Sequence, residues 1–325
     1  MRAMLVDAAK NLVWSEVSDP VIGEGEVLVK ICAAGVNRAD LLQREGKYPS
    51  PPGCPEWMGL EVAGIVTACG NGVTRWQVGD RVCALLGGGG YAELVAVKED
   101  MCMPIPKGLS MEEAAALPEA YATSYLNLFL EGHLQAGQTA FIPAGASGLA
   151  SVAIPMAKAF GARVITSVRK ASQADAVGAD RVINTAVESV EEVLAQEEQN
   201  GTPVNVSMDC LCGETLGKSL PYMARYGYWI VISTLAGTET NIQLRPLLTK
   251  GLHLVGSTLR SRTPAFKAEL LSQLVERVWP KIEDGTIQPA IHAVLPIAEA
   301  EAAHSILARG GHVGKVVLRV WDETE

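Results

Sequence analysis

One segment limits the fold of this chain more than any other: an apolar run that breaks into a turn of small residues and then continues as a second apolar stretch. The first run covers residues 140–143, the turn covers 144–150 and the second stretch covers 152–160. A strand, a tight turn and a helix in this order bring free backbone N–H groups and the positive end of a helix dipole to one point. A pyrophosphate binds well at such a point, so the segment predicts a dinucleotide site.

The turn departs from the full glycine fingerprint of dinucleotide-binding folds. The pattern G-x-G-x-x-G would need glycine at the positions of Ser147 and Ala150, and alanine is an accepted variant only at the last of these. An ordinary strand-to-helix connection is the alternative interpretation. The context favours the nucleotide, because Gly161 leads into a second strand pattern at 163–168 and completes a β-α-β unit.

The end of that second strand indicates which nicotinamide cofactor is used. An acidic residue about 20 positions after the first glycine would bind the ribose 2′-hydroxyl of NAD, but the first carboxylate here is Asp175, which comes too late. The strand ends instead in Thr166 and Ser167, followed by Arg169 and Lys170. Two cations with hydroxyl groups nearby suit a 2′-phosphate, which predicts NADPH. The alternative is that Arg169 and Lys170 are a solvated pair in a loop.

Composition excludes several classes of partner. A net charge of −9 disfavours nucleic acid or an anionic membrane surface as a general partner. The first residues lack the apolar core of a signal peptide, and no stretch approaches the ~18 apolar residues of a membrane span. Seven scattered cysteines without a C-x-x-C pair indicate reduced thiols, and we therefore expect a cytoplasmic protein.

The 325 residues divide into two predicted domains. Short β-rich runs such as 26–31 and 62–66, separated by turn residues, predict a small and strongly bent β domain. From about 121 to 261 strands and helices alternate, which is typical of a doubly wound parallel sheet. We expect the last segments, including a strand at 315–320, to return to the first domain. The predicted domains are therefore 1–120 with 262–325, and 121–261.

Several spaced motifs accompany the β-α-β unit, at residues 37–44, 59–64, 78–82, 118–120 and 259–262. Together they resemble the medium-chain dehydrogenase/reductase superfamily, and more narrowly its zinc-free NADPH:quinone oxidoreductase branch. Within that branch they most resemble the quinone oxidoreductases induced by a tumour suppressor, and the resemblance covers nearly the whole chain.

The resemblance implies an α/β protein with a GroES-like β domain, a Rossmann domain and a substrate cleft between them. It implies catalytic or cleft roles for Asn37, Asp40, Tyr48 and Thr123. It also implies that the pyrophosphate is contacted by Gly145, Ala146, Gly148 and Leu149, and that Ser147, Thr166, Ser167, Arg169 and Lys170 belong to the cofactor site. The nicotinamide half of the cofactor would be followed by Ser233, Thr234, Ser257, Leu259 and Arg260.

Departures from the zinc-dependent relatives predict a protein without a metal. Those relatives place a cysteine ligand where this chain has Asn37, and a histidine where it has Leu60. The four-cysteine zinc lobe is absent, and none of the five histidines forms a short pair of metal ligands.

The leading hypothesis is direct hydride transfer from NADPH to a quinone or related enone, with the protein supplying orientation. A metal-free 2-enoyl thioester reductase is one alternative, in which Tyr48 would donate a proton, and a catalytically idle NADPH-binding protein is another. Asn37 and Asp40 have a structural alternative, the capping of a helix that begins at Ala39 or Leu41. The resemblance suggests a homodimer through the edge of the cofactor sheet, with a tetramer as the alternative. The glycine run 87–90 predicts a flexible loop.

Overall fold

Residues 1–321 are described by the structure, a computed structural model. The elements up to residue 125 are β1 (Arg2–Val6), β2 (Leu12–Glu16), β3 (Glu26–Val36), α1 (Arg38–Arg44), β4 (Glu61–Cys69), β5 (Arg81–Leu85), β6 (Leu94–Lys98), β7 (Cys102–Pro104), α2 (Met111–Ala115) and α3 (Pro118–Tyr125). A π-helical segment, Leu126–Glu131, continues α3. The remaining elements are β8 (Thr139–Ile142), α4 (Ala150–Ala159), β9 (Arg163–Val168), β10 (Arg181–Asn184), α5 (Val190–Gln199), β11 (Val204–Asp209), α6 (Glu214–Ser219), β12 (Met223–Val231), α7 (Leu244–Lys250), β13 (His253–Gly256), α8 (Pro264–Arg277), α9 (Trp279–Glu283), β14 (Ile291–Pro296), α10 (Ala300–Arg309) and β15 (Lys315–Arg319).

The chain separates into two units. The first contains Met1–Ala122, Arg262–Gly285 and the described residues from Pro289 onward, and the second contains Thr123–Ser261 with Thr286–Gln288. None of the helices in the described part of the chain combines the length and the apolar character that a membrane span requires.

The first unit is built on a bent, mostly antiparallel sheet. Its seven strands run in the order β14-β15-β3-β4-β5-β7, with β6 also paired to β3. The long strand β3 changes register twice against β4, and such irregularities bend and twist a strand. Its alternating apolar side chains, among them Val29 and Ile31, are fully buried. At its end β3 pairs antiparallel with β15, so Val316 lies opposite Val36.

The second unit is a parallel sheet of six strands in the order β10-β9-β8-β11-β12-β13. This is the doubly wound Rossmann order, which confirms the predicted fold class. Helices cover both faces, so buried side chains lie on either side of the sheet, Ile142 and Met208 on one face and Phe141 and Trp229 on the other. Ligands of such sheets bind at the carboxyl ends of the strands, which share one edge.

The glycine run 87–90 is packed, so the prediction of a flexible loop is wrong. Gly89 and Gly90 are buried, and their N–H groups donate to the carbonyl oxygens of Trp57 and Gly59 over 2.9 and 3.0 Å. A Cβ on Gly90 would lie 2.9 Å from the Val62 side chain, which leaves no room for a larger residue. The glycines allow two backbone segments to approach closely. From the sequence alone, glycines in this packing role cannot be told apart from glycines in a flexible loop.

Candidate nucleotide and substrate site

The predicted dinucleotide turn lies between β8 and α4, at the carboxyl edge of the second unit's sheet. Within residues 1–321 the backbone N–H groups of Ala146, Gly148 and Leu149 donate to no protein acceptor. All three residues are half-buried, which leaves these donors open to a ligand at the N-terminus of the ten-residue helix α4. Free N–H groups and the helix dipole together fit a pyrophosphate. The residues present therefore fit the phosphates of a dinucleotide.

Ser147 and Gly145 shape this turn. The Ser147 hydroxyl accepts the N–H of Ala150 over 3.1 Å, so its side chain completes the helix start. The Gly145 N–H donates to the Ser167 carbonyl oxygen over 2.8 Å, which leaves Gly145 no amide for the cofactor. A Cβ at Gly145 would lie 2.4 Å from Thr166 Oγ1, so only glycine fits against β9.

Thr166 and Ser167, predicted as cofactor residues, are buried in β9 and support the turn from behind. The Thr166 hydroxyl donates to the Ile142 carbonyl oxygen, and the Ser167 hydroxyl accepts the Ala144 N–H over 3.3 Å. Ala144 has a φ of 57°, the left-handed region that non-glycine residues rarely adopt. These two side chains hold that backbone in place, and a direct contact of either with a cofactor stays a prediction.

Arg169 and Lys170 are exposed directly after β9. Neither side chain has a hydrogen bond or ion pair within residues 1–321, in contrast to Lys158, which pairs with Asp180 over 3.0 Å. Both cations are therefore available to an anion at the end of this strand.

The segments predicted to follow the nicotinamide lie after β12 and β13. Ser233 is half-buried and Thr234 exposed, whereas Ser257 and Leu259 are buried and Arg260 is half-buried. The Ser257 N–H donates to the Val231 carbonyl oxygen over 2.9 Å, which joins the two strand ends. Because parallel strands share their carboxyl edge, these residues and the dinucleotide turn lie at the same edge of one sheet.

Asn37 is the N-cap residue of helix α1, and the Asp40 carboxylate caps the helix by accepting the Asn37 N–H over 2.7 Å. This agrees with the structural alternative, except that the helix begins at Arg38 and not at Ala39 or Leu41. Asp40 is fully buried and also accepts the Gly59 N–H over 3.1 Å. A catalytic role for either residue stays a prediction.

A buried chain of three polar side chains starts at Asp40. The Tyr91 hydroxyl lies 3.2 Å from Asp40 Oδ2 and 3.3 Å from His304 Nε2, and each of the three residues is at most 2% exposed. Burial raises the pKa of Asp40 to about 6, against the opposing hydrogen bonds from Asn37 and Gly59. Burial lowers the pKa of His304 to about 4, and the charge of Arg44 acts in the same direction. At neutral pH the histidine is therefore neutral and the aspartate mostly ionised.

Beside Asp40 lies a buried ion pair between Lys315 of β15 and Glu61 of β4. Lys315 Nζ is 2.6 Å from Glu61 Oε1, and the two side chains are 4% and 0% exposed. The same ammonium donates to Asn37 Oδ1 over 2.7 Å and to the Val36 carbonyl oxygen over 3.2 Å. Lys315 and Glu61 with Asn37 are called the Asn37 cluster below.

Tyr48 and Thr123 fall in different units. Tyr48 is half-buried in the loop after α1, a loop held by Gln43 Nε2, which donates to the Ser50 hydroxyl over 2.9 Å and to the Glu56 carbonyl oxygen over 2.8 Å. Thr123 is half-buried in α3, and its carbonyl oxygen accepts the Asn127 side-chain amide over 2.7 Å. The structure thus shows how each is held and leaves both roles as predictions.

Sequence reasoning missed Asp209, Tyr91, His304 and Lys315. Asp209 closes β11 by accepting the N–H groups of Leu211 and Cys212 over 2.8 and 3.0 Å and the indole N–H of Trp229 over 2.9 Å. A carboxylate at the end of an apolar strand was the one available signal for Asp209. Tyr91, His304 and Lys315 make their hydrogen bonds to residues that are far away along the chain, so the sequence around each of them gives no signal.

Metal ligands are not clustered in the described part of the chain. Between residues 1 and 321 no group of three or more His, Cys, Asp or Glu side chains is placed to hold an ion. The seven cysteines are all free, and burial raises the pKa of Cys210 and Cys212 to about 12. The absence of a metal in the working protein stays a prediction.

Comparison with known proteins agrees with this geometry. Residues 23–107 match the family model "Alcohol dehydrogenase GroES-like domain" and residues 148–276 match "Zinc-binding dehydrogenase". A quinone oxidoreductase of Pseudomonas aeruginosa is 34% identical over 91% of each chain. A quinone oxidoreductase-like protein 2 homolog of Nematostella vectensis is 32% identical over 91% of this chain and 82% of its own.

A solved structure extends the similarity to the fold. The quinone oxidoreductase of Thermus thermophilus, solved also in complex with NADPH, is 30% identical, with a TM-score of 0.82 over 98% of this chain and 100% of its own. The first unit is thus GroES-like, the second is Rossmann-like, and the open turn of the second unit fits a nucleotide cofactor. On this sequence and structural similarity, the chain is an oxidoreductase of the medium-chain dehydrogenase/reductase superfamily.

Proposed function

We propose that this protein transfers a hydride from NADPH to a quinone or a related conjugated carbonyl compound, without a metal. The observation that carries the proposal is the chain-long similarity to proteins named quinone oxidoreductase, at 30–34% identity. The narrower similarity to the quinone oxidoreductases induced by a tumour suppressor belongs to the same proposal.

The choice of NADPH is supported by the end of β9. Arg169 and Lys170 are exposed there, and no carboxylate is present to bind a ribose 2′-hydroxyl. A 2′-phosphate brings negative charge and acceptor oxygens that suit both side chains. Bound NADPH supplies the hydride from carbon 4 of its nicotinamide ring.

The protein's own contribution is binding and orientation. The N–H groups of Ala146, Gly148 and Leu149 would hold the pyrophosphate. Thr166 and Ser167 hold the backbone of Ile142 and Ala144, which directly precedes these groups. In the first unit, Tyr48 would position the acceptor from its tethered loop. Because a quinone accepts protons on oxygen, solvent can complete the reduction and no side chain needs to act as an obligatory acid.

A panel of acceptors tests the proposal. Turnover would be measured with NADPH and with NADH against an ortho-quinone, a para-quinone and a 2-enoyl thioester. We expect NADPH oxidation with at least one quinone at a higher kcat/KM than with the thioester. Turnover of the thioester alone would favour the enoyl reductase alternative, and binding of NADPH without any turnover would favour an idle NADPH-binding protein.

We also propose that two copies associate through β13. This edge strand exposes Leu254, and the neighbouring helix α7 exposes Leu244 and Leu248 by 72% and 82%. An unpaired strand edge beside apolar side chains is a surface that proteins commonly cover. Sedimentation of the wild type should give a dimer, and Leu254→Lys should shift it toward the monomer. A wild-type monomer would contradict this proposal, whereas a tetramer would require a second interface. A cytoplasmic location stays a prediction.

A further inference from the structure

Lys315 is a buried ammonium whose hydrogen bonds are all made within the Asn37 cluster and its adjoining backbone. Its three donors have three acceptors, Glu61 Oε1, Asn37 Oδ1 and the Val36 carbonyl oxygen, at 2.6, 2.7 and 3.2 Å. A buried lysine needs such complete pairing, because an unpaired charge is costly away from water.

These partners fix which way the Asn37 amide points. Its oxygen faces an ammonium, which only donates, and its nitrogen lies 2.8 Å from Glu61 Oε1, which only accepts. The reversed amide would place like groups together at both contacts. Asn37 is half-buried, so a ligand reaching it would meet an amide whose orientation Lys315 and Glu61 have already set.

The surrounding backbone is built around the same carboxylate. Glu61 Oε2 accepts the N–H of Glu119 in the first turn of α3 over 2.8 Å, so both carboxylate oxygens are engaged. A Cβ on Gly35 would lie 2.3 Å from Glu61 Oε1, so this position has room only for glycine. The cluster is thus closely packed as well as fully hydrogen-bonded.

We propose that Lys315 is a positioning residue for the acceptor, acting through Glu61 and the oriented amide of Asn37. This inference rests on the proposed hydride transfer and adds a residue outside the predicted site. Lys315 touches neither acceptor nor cofactor. It holds the Asn37 amide, and an error of about 1 Å in a positioned group can reduce turnover ~100-fold.

A double-mutant cycle tests the kinetic half of the inference. Lys315→Gln with Glu61→Gln removes both charges together and avoids an unpaired buried ion. We expect this double variant to lower kcat about 10- to 100-fold with unchanged NADPH affinity. In an Asn37→Ala background the same pair should cost little more, because the amide that it orients is gone. Additive losses would overturn the inference.

Two further variants separate positioning from stability. Arg163→Gln with Glu197→Gln removes a partly buried ion pair of the second unit, which joins the two side chains over 2.9 Å, and should leave kcat unchanged. Lys315→Arg keeps the charge and should recover part of kcat. The Arg163→Gln, Glu197→Gln variant and the Lys315→Gln, Glu61→Gln variant are compared at matched thermal midpoints of unfolding. Equal losses of kcat in the two variants would mean that Lys315 only stabilises the fold.

A measurement without turnover tests the structural half. With selective ¹⁵N labelling of asparagine amides, the Asn37 side-chain signals, assigned by their loss in Asn37→Ala, should exchange slowly with solvent. They should exchange markedly faster in the Lys315→Gln, Glu61→Gln variant, and unchanged exchange would overturn the inference. Because this readout needs no acceptor, it distinguishes failure of the positioning inference from failure of the proposed quinone reaction.

Discussion

His304 should make the stability of this protein depend on pH in a direction that a single substitution reveals. In the folded protein its pKa is lowered from 6.5 to about 4, chiefly by burial against Tyr91. A histidine with a lowered folded pKa contributes stability that is present above pH 6.5. That stability is lost as the pH falls toward 4, because the unfolded chain takes up the proton first.

The size of this loss of stability follows from the change in the pKa of His304 on folding. Lowering the pKa of His304 from 6.5 to about 4 corresponds to roughly 3 kcal/mol at its limit, and most of this is lost between pH 7.5 and pH 4.5. Asp40 acts in the opposite direction, since its folded pKa is raised from 3.8 to about 6. Its contribution is largest below pH 3.8 and is lost as the pH rises through 6, so acidification to pH 4.5 returns about 2 kcal/mol. In the wild type these two contributions therefore oppose each other.

His304→Gln removes one of the two terms. At pH 7.5 the variant should be less stable by about 1–2 kcal/mol, because a buried contact with the Tyr91 hydroxyl is altered. Between pH 7.5 and pH 4.5 the free energy of unfolding of the variant should rise by about 2–3 kcal/mol relative to that of the wild type. It should therefore equal or exceed the wild type in acid.

Urea unfolding followed by tryptophan fluorescence at the two pH values measures this difference. Val187→Ala, a change at an exposed side chain of the second unit that carries no titratable group, is the control and should shift stability equally at both pH values. If His304→Gln changed the free energy of unfolding by the same amount at both, the histidine would take up a proton as readily in the folded protein as in the unfolded chain. The buried Asp40–Tyr91–His304 arrangement would then be wrong.

Three other outcomes are expected from the nucleotide and substrate sites. Replacing Arg169 and Lys170 by alanine should weaken NADPH binding by ~1–3 kcal/mol and leave NADH binding nearly unchanged. The control Lys218→Ala, which removes another exposed cation, should affect the binding of neither cofactor. Equal losses of affinity for both cofactors would show that Arg169 and Lys170 act elsewhere. Gly145→Ala should reduce the binding of both cofactors and lower the thermal midpoint of unfolding, because the new Cβ would lie 2.4 Å from Thr166 Oγ1. Unchanged binding would contradict the packing of the turn. Tyr48→Phe should keep most quinone turnover while Tyr48→Ala raises KM; a fall in kcat of ~100-fold or more in Tyr48→Phe would make the tyrosine a proton donor.

Local sequence patterns predicted the strand–turn–helix segment of the second unit and the start of helix α2. The turn at 144–149 and the basic end of β9 are each read within a few residues, because a helix start and a strand end are set by neighbouring backbone groups. The same holds for α2, because Ser110 followed three residues later by Glu113 is the sequence pattern of a capping box. In the structure Ser110 Oγ accepts the Glu113 N–H over 3.2 Å. The alternation of strand and helix patterns along residues 121–261 likewise predicted the parallel sheet.

The Asn37 cluster could not be predicted in this way. Lys315 meets Asn37 across 278 positions of sequence, and Tyr91 meets His304 across 213, because β15 returns to pair with β3 and α10 packs beside it. In the sequence Lys315 is an ordinary cation near the end of the chain, and His304 one histidine among five. The burial and the pKa of a side chain depend on which distant groups replace water around it, and only the tertiary packing of strands and helices decides that. The sequence therefore determined the turn at which we expect a nucleotide to bind, and the tertiary structure decided which buried charges surround Asn37.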